Sequence, residues 1–218
     1  MGPLAYAAEY VPEDEPLLAA RGYAADLGGT EPVLPAVGAA LRFLACAVGA
    51  RTAVEIGTGC GISGIWLLRG MRPGSTLTSV DTEPEYQRMA RKAFTAAGFA
   101  PNQCRLILGQ ALEVLPRLSD SAYDMVFCDA DARDYPDYLA AALRLLRVGG
   151  IVAFNNALLA GPPDPAGGDE ADDASSASSA DGIVSSLDLA SQIRADERLV
   201  PVLLPLGDGL LAAVKRGD

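Results

Sequence analysis

Five short apolar runs, each followed by a helical or turn pattern, constrain this chain more than any other feature. Thr52–Ile56, Leu77–Val80, Arg105–Leu108, Asp124–Cys128 and Gly150–Phe154 read as strands. Helical patterns separate them: one opening at Ile62, Glu83–Ala97 stopped by Gly98, Ala111–Leu118, and Tyr135–Leu146 with Tyr135, Tyr138, Leu139, Ala142 and Leu146 on its apolar face. A further helix precedes the first strand, where Val37, Ala40, Leu41, Leu44 and Val48 share one face. Such alternation predicts a parallel sheet covered by helices on both sides. The end of the chain differs: Leu199–Leu206 and Leu210–Lys215 flank Gly207-Asp208-Gly209, the pattern of an antiparallel hairpin.

Between these elements, residues 1–30 read as an acidic, Pro/Gly-punctuated extension with a short helix around Pro16–Ala25, and 31–218 as one domain. Gly161–Gly182 carries six acids, four serines and three prolines but no Lys or Arg, so a mobile acidic loop is expected there, with a helix over Ile183–Ile193. The net charge of −11 argues against nucleic acid or an anionic membrane as partner. No run of 18 apolar residues and no signal-like start is present, so a cytoplasmic setting is expected. Cys46, Cys60, Cys104 and Cys128 lack metal-type spacing; three of them fall in apolar helix or strand patterns and are expected as buried free thiols. With no histidine in the chain, His-based triads and His-ligated zinc are excluded.

The chemistry centres on Ala53–Gly64, a strand ending in an acid, a glycine-dense turn, and a helix start whose first N–H groups suit an anion. Gly59-x-Gly61-x-x-Gly64, with Asp81 20 residues past Gly61, fits a dinucleotide fingerprint. Glu55-x-Gly57-x-Gly59-x-Gly61 fits an S-adenosylmethionine loop equally well, and the glycines alone do not choose. The terminal hairpin and the short chain left after the third strand favour the second reading over a small NAD-dependent oxidoreductase.

The phrases VEIGTGCGISGIWL (Val54–Leu67), VDTEP (Val80–Pro84), ALEVLP (Ala111–Pro116), YDMVFCDAD (Tyr123–Asp131), Tyr135-x-x-Tyr138, LRLLRVGG (Leu143–Gly150) and LLPLGDGL (Leu203–Leu210) carry a closer resemblance. The chain resembles bacterial, actinobacterial-type O-methyltransferases of the catechol and caffeoyl-CoA type. That resemblance implies a Rossmann-like class I methyltransferase fold, a mostly parallel seven-stranded sheet with the C-terminal hairpin, and methyl transfer to a small-molecule hydroxyl. It implies that Val33, Glu55, Gly57, Thr58, Gly59, Ser63, Asp81, Thr82, Gln110, Ala111 and Asp129 bind the cofactor, and that the protein is a homodimer. The family's magnesium site would fall on Asp129, Asn155 and Asn156. Here the chain departs from the pattern: Ala132 stands where the family carries a lysine, and Asn155 where it carries an aspartate. A hard cation prefers anionic oxygens, so this site is expected to be weakened. Without a metal, the proton acceptor falls to Asp129 or Asp131, with Tyr135 or Tyr138 shaping the pocket.

Overall fold

The computed structural model describes residues 2–29, 31–158 and 188–217. Among these described residues seven strands form one sheet: β1 (Thr52–Ile56), β2 (Thr76–Asp81), β3 (Cys104–Leu108), β4 (Tyr123–Cys128), β5 (Leu146–Phe154), β6 (Leu199–Leu204) and β7 (Leu210–Lys215). Their order is β3-β2-β1-β4-β5-β7-β6. The first five run parallel, and β7 pairs antiparallel with both β5 and β6. Each expected strand is present, and the terminal hairpin closes one edge.

Both faces of the central strands are buried, and period-2 alternation divides their residues between them. Ala53, Leu77, Met125, Phe127, Ile151 and Ala153 face α2 (Glu15–Leu27), α3 (Pro35–Ala47), α4 (Ile62–Gly70) and α5 (Pro84–Ala96). Val54, Ile56, Val80, Val126, Cys128, Val152 and Phe154 face α6 (Ala111–Val114), α7 (Tyr135–Leu145) and a helix at residues 188–195, here α8. The short helix α1 (Pro3–Ala8) precedes them all.

Three elements differ most in extent from the expectation. The N-terminal helix is longer: α2 buries Leu17, Ala20 and Ala24 in the main core, a face too small to stand out as periodicity. The helix opening at Ala111 is shorter, because Pro116 cannot donate and Leu115–Arg117 tightens into a 3-10 turn. Strand β5 starts four residues earlier, at Leu146, with a register shift opposite Tyr123–Met125. Cys46 is a free thiol but exposed on the outer side of α3, so the expected burial fails there, while Cys60, Cys104 and Cys128 are buried and unpaired. The acidic stretch Gly161–Gly182 and the first part of Ile183–Ile193 lie outside the described residues; within α8, Leu189 and Ile193 are fully buried. None of the described helices is long and apolar enough to cross a membrane.

Candidate functional site

In sheets of this order the chain reverses its winding between β1 and β4, and the crevice beyond the carboxyl ends of those strands is where ligands bind. The register brings the ends together: Ile56 pairs with Val80 and Cys128, and Cys128 with Phe154. Main-chain bonds then carry the alignment one residue further. Gly57 N–H donates to Val80 O at 2.9 Å, Asp129 N–H to Ile56 O at 2.8 Å, and Asn155 N–H to Cys128 O at 3.0 Å. Gly57, Asp81, Asp129 and Asn155 therefore arrive on one edge because their strands are in register.

At Gly57 this approach leaves no room for a side chain. Its φ is +92°, and a Cβ would lie 2.1 Å from the carbonyl oxygen of Asp129. At Gly61, φ is +90° and a Cβ would lie 3.0 Å from Ala90 of α5, so the turn into α4 is equally closed to larger residues.

Two cavities open on this edge. One, of about 270 Å³, is lined by Val33, Gly57, Thr58, Ser63, Asp129 and Asn156 among others. The other, of about 440 Å³, is lined by Asp81, Thr82, Gly109, Ala111, Asp129 and Tyr138 among others. Gly57, Asp81, Asp129 and Ala130 border both, so one extended ligand can run from one to the other across Asp129.

Most of the expected site residues meet here. Val33, Gly57, Thr58, Gly59, Ser63, Asp81 and Asp129 line the first cavity; Thr82 and Ala111 line the second. Gln110 is exposed at the N-cap of α6, outside both linings. Asp131 also lies outside them. It is exposed and paired with Arg133, whose guanidinium holds its carboxyl below the usual range. Tyr135 is fully buried beneath the floor, whereas Tyr138 reaches the second cavity and donates to Asp134 at 3.2 Å.

Asp81 has a second task. Its carboxylate accepts from Gly59 N–H at 2.9 Å and from Glu83 N–H at 2.9 Å, tying the glycine turn to the start of α5.

Glu55 is fully buried below the turn and does not line either cavity. Ser79 Oγ donates to its Oε2 at 2.5 Å and is itself 2.7 Å from Thr58 Oγ1. Its Oε1 has no hydrogen-bond partner among the described residues. Burial pushes this carboxyl up to about 8; the hydrogen bond from Ser79 and the nearby Ser63 side chain oppose the rise, and the charges of Asp129 and Asp81 add to it. Burial also lifts Asp129, to about 6, against the hydrogen bond from Asn155.

The donor set at the end of β5 is unlike a cation site. Asn155 turns its amide nitrogen toward Asp129, donating to Oδ1 at 3.0 Å. Asn156 lines the first cavity with a φ of +58°. Among the described residues, no three His, Cys, Asp or Glu side chains converge. These groups do not fit a divalent metal as they stand.

Sequence reasoning passed over a strap formed by the residues just after α2. Gly29 borders the second cavity, and Glu31 and Pro32 the first. Tyr86 O–H holds it by donating to Gly28 O at 2.9 Å, and Arg21 by donating to Val33 O at 2.6 Å. Arg21 is itself fixed by Glu13, which also accepts from Trp66 Nε1 at 3.3 Å. The available signal was the proline-flanked Glu31-Pro32-Val33-Leu34-Pro35, rigid and next to an expected ligand residue.

Known proteins with this arrangement point one way. A family model described as O-methyltransferase matches residues 27–216. The Mycobacterium tuberculosis protein named "Probable O-methyltransferase Rv1220c" is 46% identical over 211 residues, covering 97% of this chain and 89% of its own. Among solved structures, a Corynebacterium glutamicum protein superposes with a TM-score of 0.85 at 29% identity, covering 100% of this chain and 99% of its own. The Streptomyces achromogenes O-methyltransferase TomG, solved in complex with SAM, superposes at 0.83 with 28% identity, covering 98% of this chain and 95% of its own.

Proposed function

The chain belongs to the O-methyltransferase family and is an S-adenosylmethionine-dependent O-methyltransferase; we propose that its acceptor is a small molecule bearing a phenolic or catechol-like hydroxyl. The observation that carries the site assignment is the pair of cavities sharing Gly57, Asp81 and Asp129 at the strand ends. Bound there, S-adenosylmethionine supplies an electrophilic methyl group on a sulfonium centre.

Every other part of the chemistry falls to the chain's own residues. Val33, Gly57, Thr58, Gly59 and Ser63 take the aminocarboxypropyl end, with the first-turn N–H groups of α4 open to its carboxylate. Asp81 accepts from the ribose hydroxyls with the lone pairs that Gly59 and Glu83 leave free, and Thr82 lies beside it. Ala111 packs on the adenine, with Gln110 at the rim. Glu55 acts from below, holding Ser79 and through it Thr58 in place. Glu31, Asp81 and Asp129 give the first cavity an acidic lining suited to a cationic ligand.

Asp129, between the cavities, receives the acceptor hydroxyl and its proton while the methyl is held in line. Asp131, paired with Arg133 and outside both cavities, takes no part in the proton transfer. No step is assigned to magnesium. A cytoplasmic homodimer completes the reading, supported by three buried unpaired thiols and by the exposed Val200 and Val202 of edge strand β6. The net charge of −11 speaks against nucleic acid as a partner.

Calorimetry with S-adenosylhomocysteine and with NADH, followed by transfer of labelled methyl to a panel of phenols, tests the reading. Binding of the first ligand and labelled product are expected. NADH binding, or a panel without product, would overturn the cofactor and acceptor assignments respectively.

A further inference from the structure

At the ends of β4 and β5, a neutral amide stands where a divalent cation would need oxygen. Asn155 is 5% exposed, and its main chain is fixed on both sides: the N–H donates to Cys128 O, and the carbonyl accepts from Tyr135 O–H at 3.0 Å. With the backbone pinned, the side-chain amide has two ways to face Asp129. One presents Nδ2–H to the carboxylate, as observed at 3.0 Å. The other sets an amide oxygen against a carboxylate oxygen, which is repulsive unless a cation or proton lies between them.

We propose that the Asn155 amide takes the cation's place in this chain, holding Asp129 by a donated hydrogen bond, so that methyl transfer proceeds without a bound metal. The inference rests on the reaction assigned above, and it extends to the acceptor. The surrounding groups agree with it. Asp129 is the one carboxylate of its segment facing the site, because Asp131 is turned to Arg133. Ala132 brings no amine and packs partly buried against the core. A magnesium ion entering here would displace a charge-assisted hydrogen bond, and would find one anionic oxygen and two amide oxygens in exchange for its water. With no cation to chelate, a second oxygen beside the reacting hydroxyl gains nothing. A phenol with a single hydroxyl is then as good an acceptor as a vicinal diol.

The test is a titration of Mn²⁺ into the full chain with S-adenosylhomocysteine present, the free ion followed by electron paramagnetic resonance. No binding is expected below about 1 mM, and Asn155→Asp, which supplies the anionic oxygen, should tighten Mn²⁺ at least about tenfold. Methyl transfer should be equal in EDTA and in magnesium, for single-hydroxyl phenols and diols alike. Micromolar Mn²⁺ binding by the unaltered chain, activity lost in EDTA and regained with magnesium, or an Asn155→Asp variant that binds Mn²⁺ no better would each overturn the proposal. A chain that fails to bind S-adenosylhomocysteine would strike the assigned reaction instead, and the Mn²⁺ titration of that same chain still decides the cation.

Discussion

The two halves of the site are built from different materials. At the ends of β1 and β2 the groups in place are main-chain: Gly57 N–H on Val80 O, Gly61 N–H on Thr58 O, and Gly59 and Glu83 N–H on the one carboxylate of Asp81. At the ends of β4 and β5 they are largely side-chain: Asn155 on Asp129, Tyr135 on Asn155, Arg133 on Asp131. A geometry held by backbone depends on glycines and on register, and most substitutions break it. A geometry held by side chains can change its chemistry while the strands stay where they are. Ala132 and Asn155, where the family that the chain resembles would carry a lysine and an aspartate, both fall on this side-chain half.

The sharpest way to break this contrast is at the contact between the halves. Gly57→Ala puts a methyl group where Asp129 O already lies, at a φ of +92°. The ends of β1 and β4 must then part, at a cost of more than about 3 kcal/mol, or roughly 6 °C or more in melting temperature for a chain this size. Binding of S-adenosylhomocysteine should be lost. A variant with native melting and native affinity would mean that these ends can slide, and the contrast would fail.

Asp129→Asn asks the opposite question of the side-chain half. Turnover should fall by about 10²–10⁴, the usual worth of a positioned proton acceptor, while affinity for S-adenosylhomocysteine changes by less than about threefold. Because Asp129 borders both cavities, the two readouts are decisive together. Parallel losses in both would assign Asp129 to holding the cofactor rather than to the chemistry.

Asp81→Ala is expected to act on both affinity and stability. The ribose loses its acceptors, lowering affinity roughly ten- to a hundredfold. The Gly59 and Glu83 N–H groups lose theirs too, so the melting temperature should drop by a few degrees, about 1 kcal/mol. Lower affinity with unchanged melting would show that the turn stands without Asp81, and that the backbone half is sturdier than its hydrogen bonds suggest.

What could be read in advance follows the same division. Strands buried on both faces announce themselves as unbroken apolar runs, and β1 and β4 begin within a residue of their expected positions. Gly57 and Asp81 were readable because turn chemistry and strand-end acids are local signals. The tie from Asp81 to Gly59 and Glu83 was not, since it depends on how two loops meet. Tyr86, Gly29 and Glu31 escaped for a similar reason: the strap reaches the site by packing across α5. Asp131 looks equivalent to Asp129, two residues earlier, in the sequence, but in the fold it is exposed and paired with Arg133. Cys46 shows the limit of periodicity, which places a small residue near a helix stripe without saying on which side of its edge it falls.

The smallest expected effect is at Glu55, which belongs to the backbone half by position yet senses the charge of the other. Burial holds its carboxyl at about 8, with Asp129 and Asp81 adding to the shift, while an unfolded chain would titrate it near 4.5. Between those values the folded protein keeps a proton that the unfolded chain gives up, so raising the pH favours unfolding. The stability tied to this proton is complete below about pH 4.5 and is lost as the pH climbs to about 8. Asp129 acts in the same direction, but only between its ordinary 3.8 and about 6. Above about pH 6.5, therefore, the remaining slope belongs to Glu55. Glu55→Gln keeps an oxygen for Ser79 and cannot ionise. From about pH 6.5 to 8 the unaltered chain should lose on the order of 1–2 kcal/mol, a few degrees of melting temperature, that the variant does not. Parallel melting curves over that range would mean that Glu55 is already ionised in the fold. Its Oε1, unpartnered among the described residues, would then have to be bound to something the hydrogen-bond pattern does not contain.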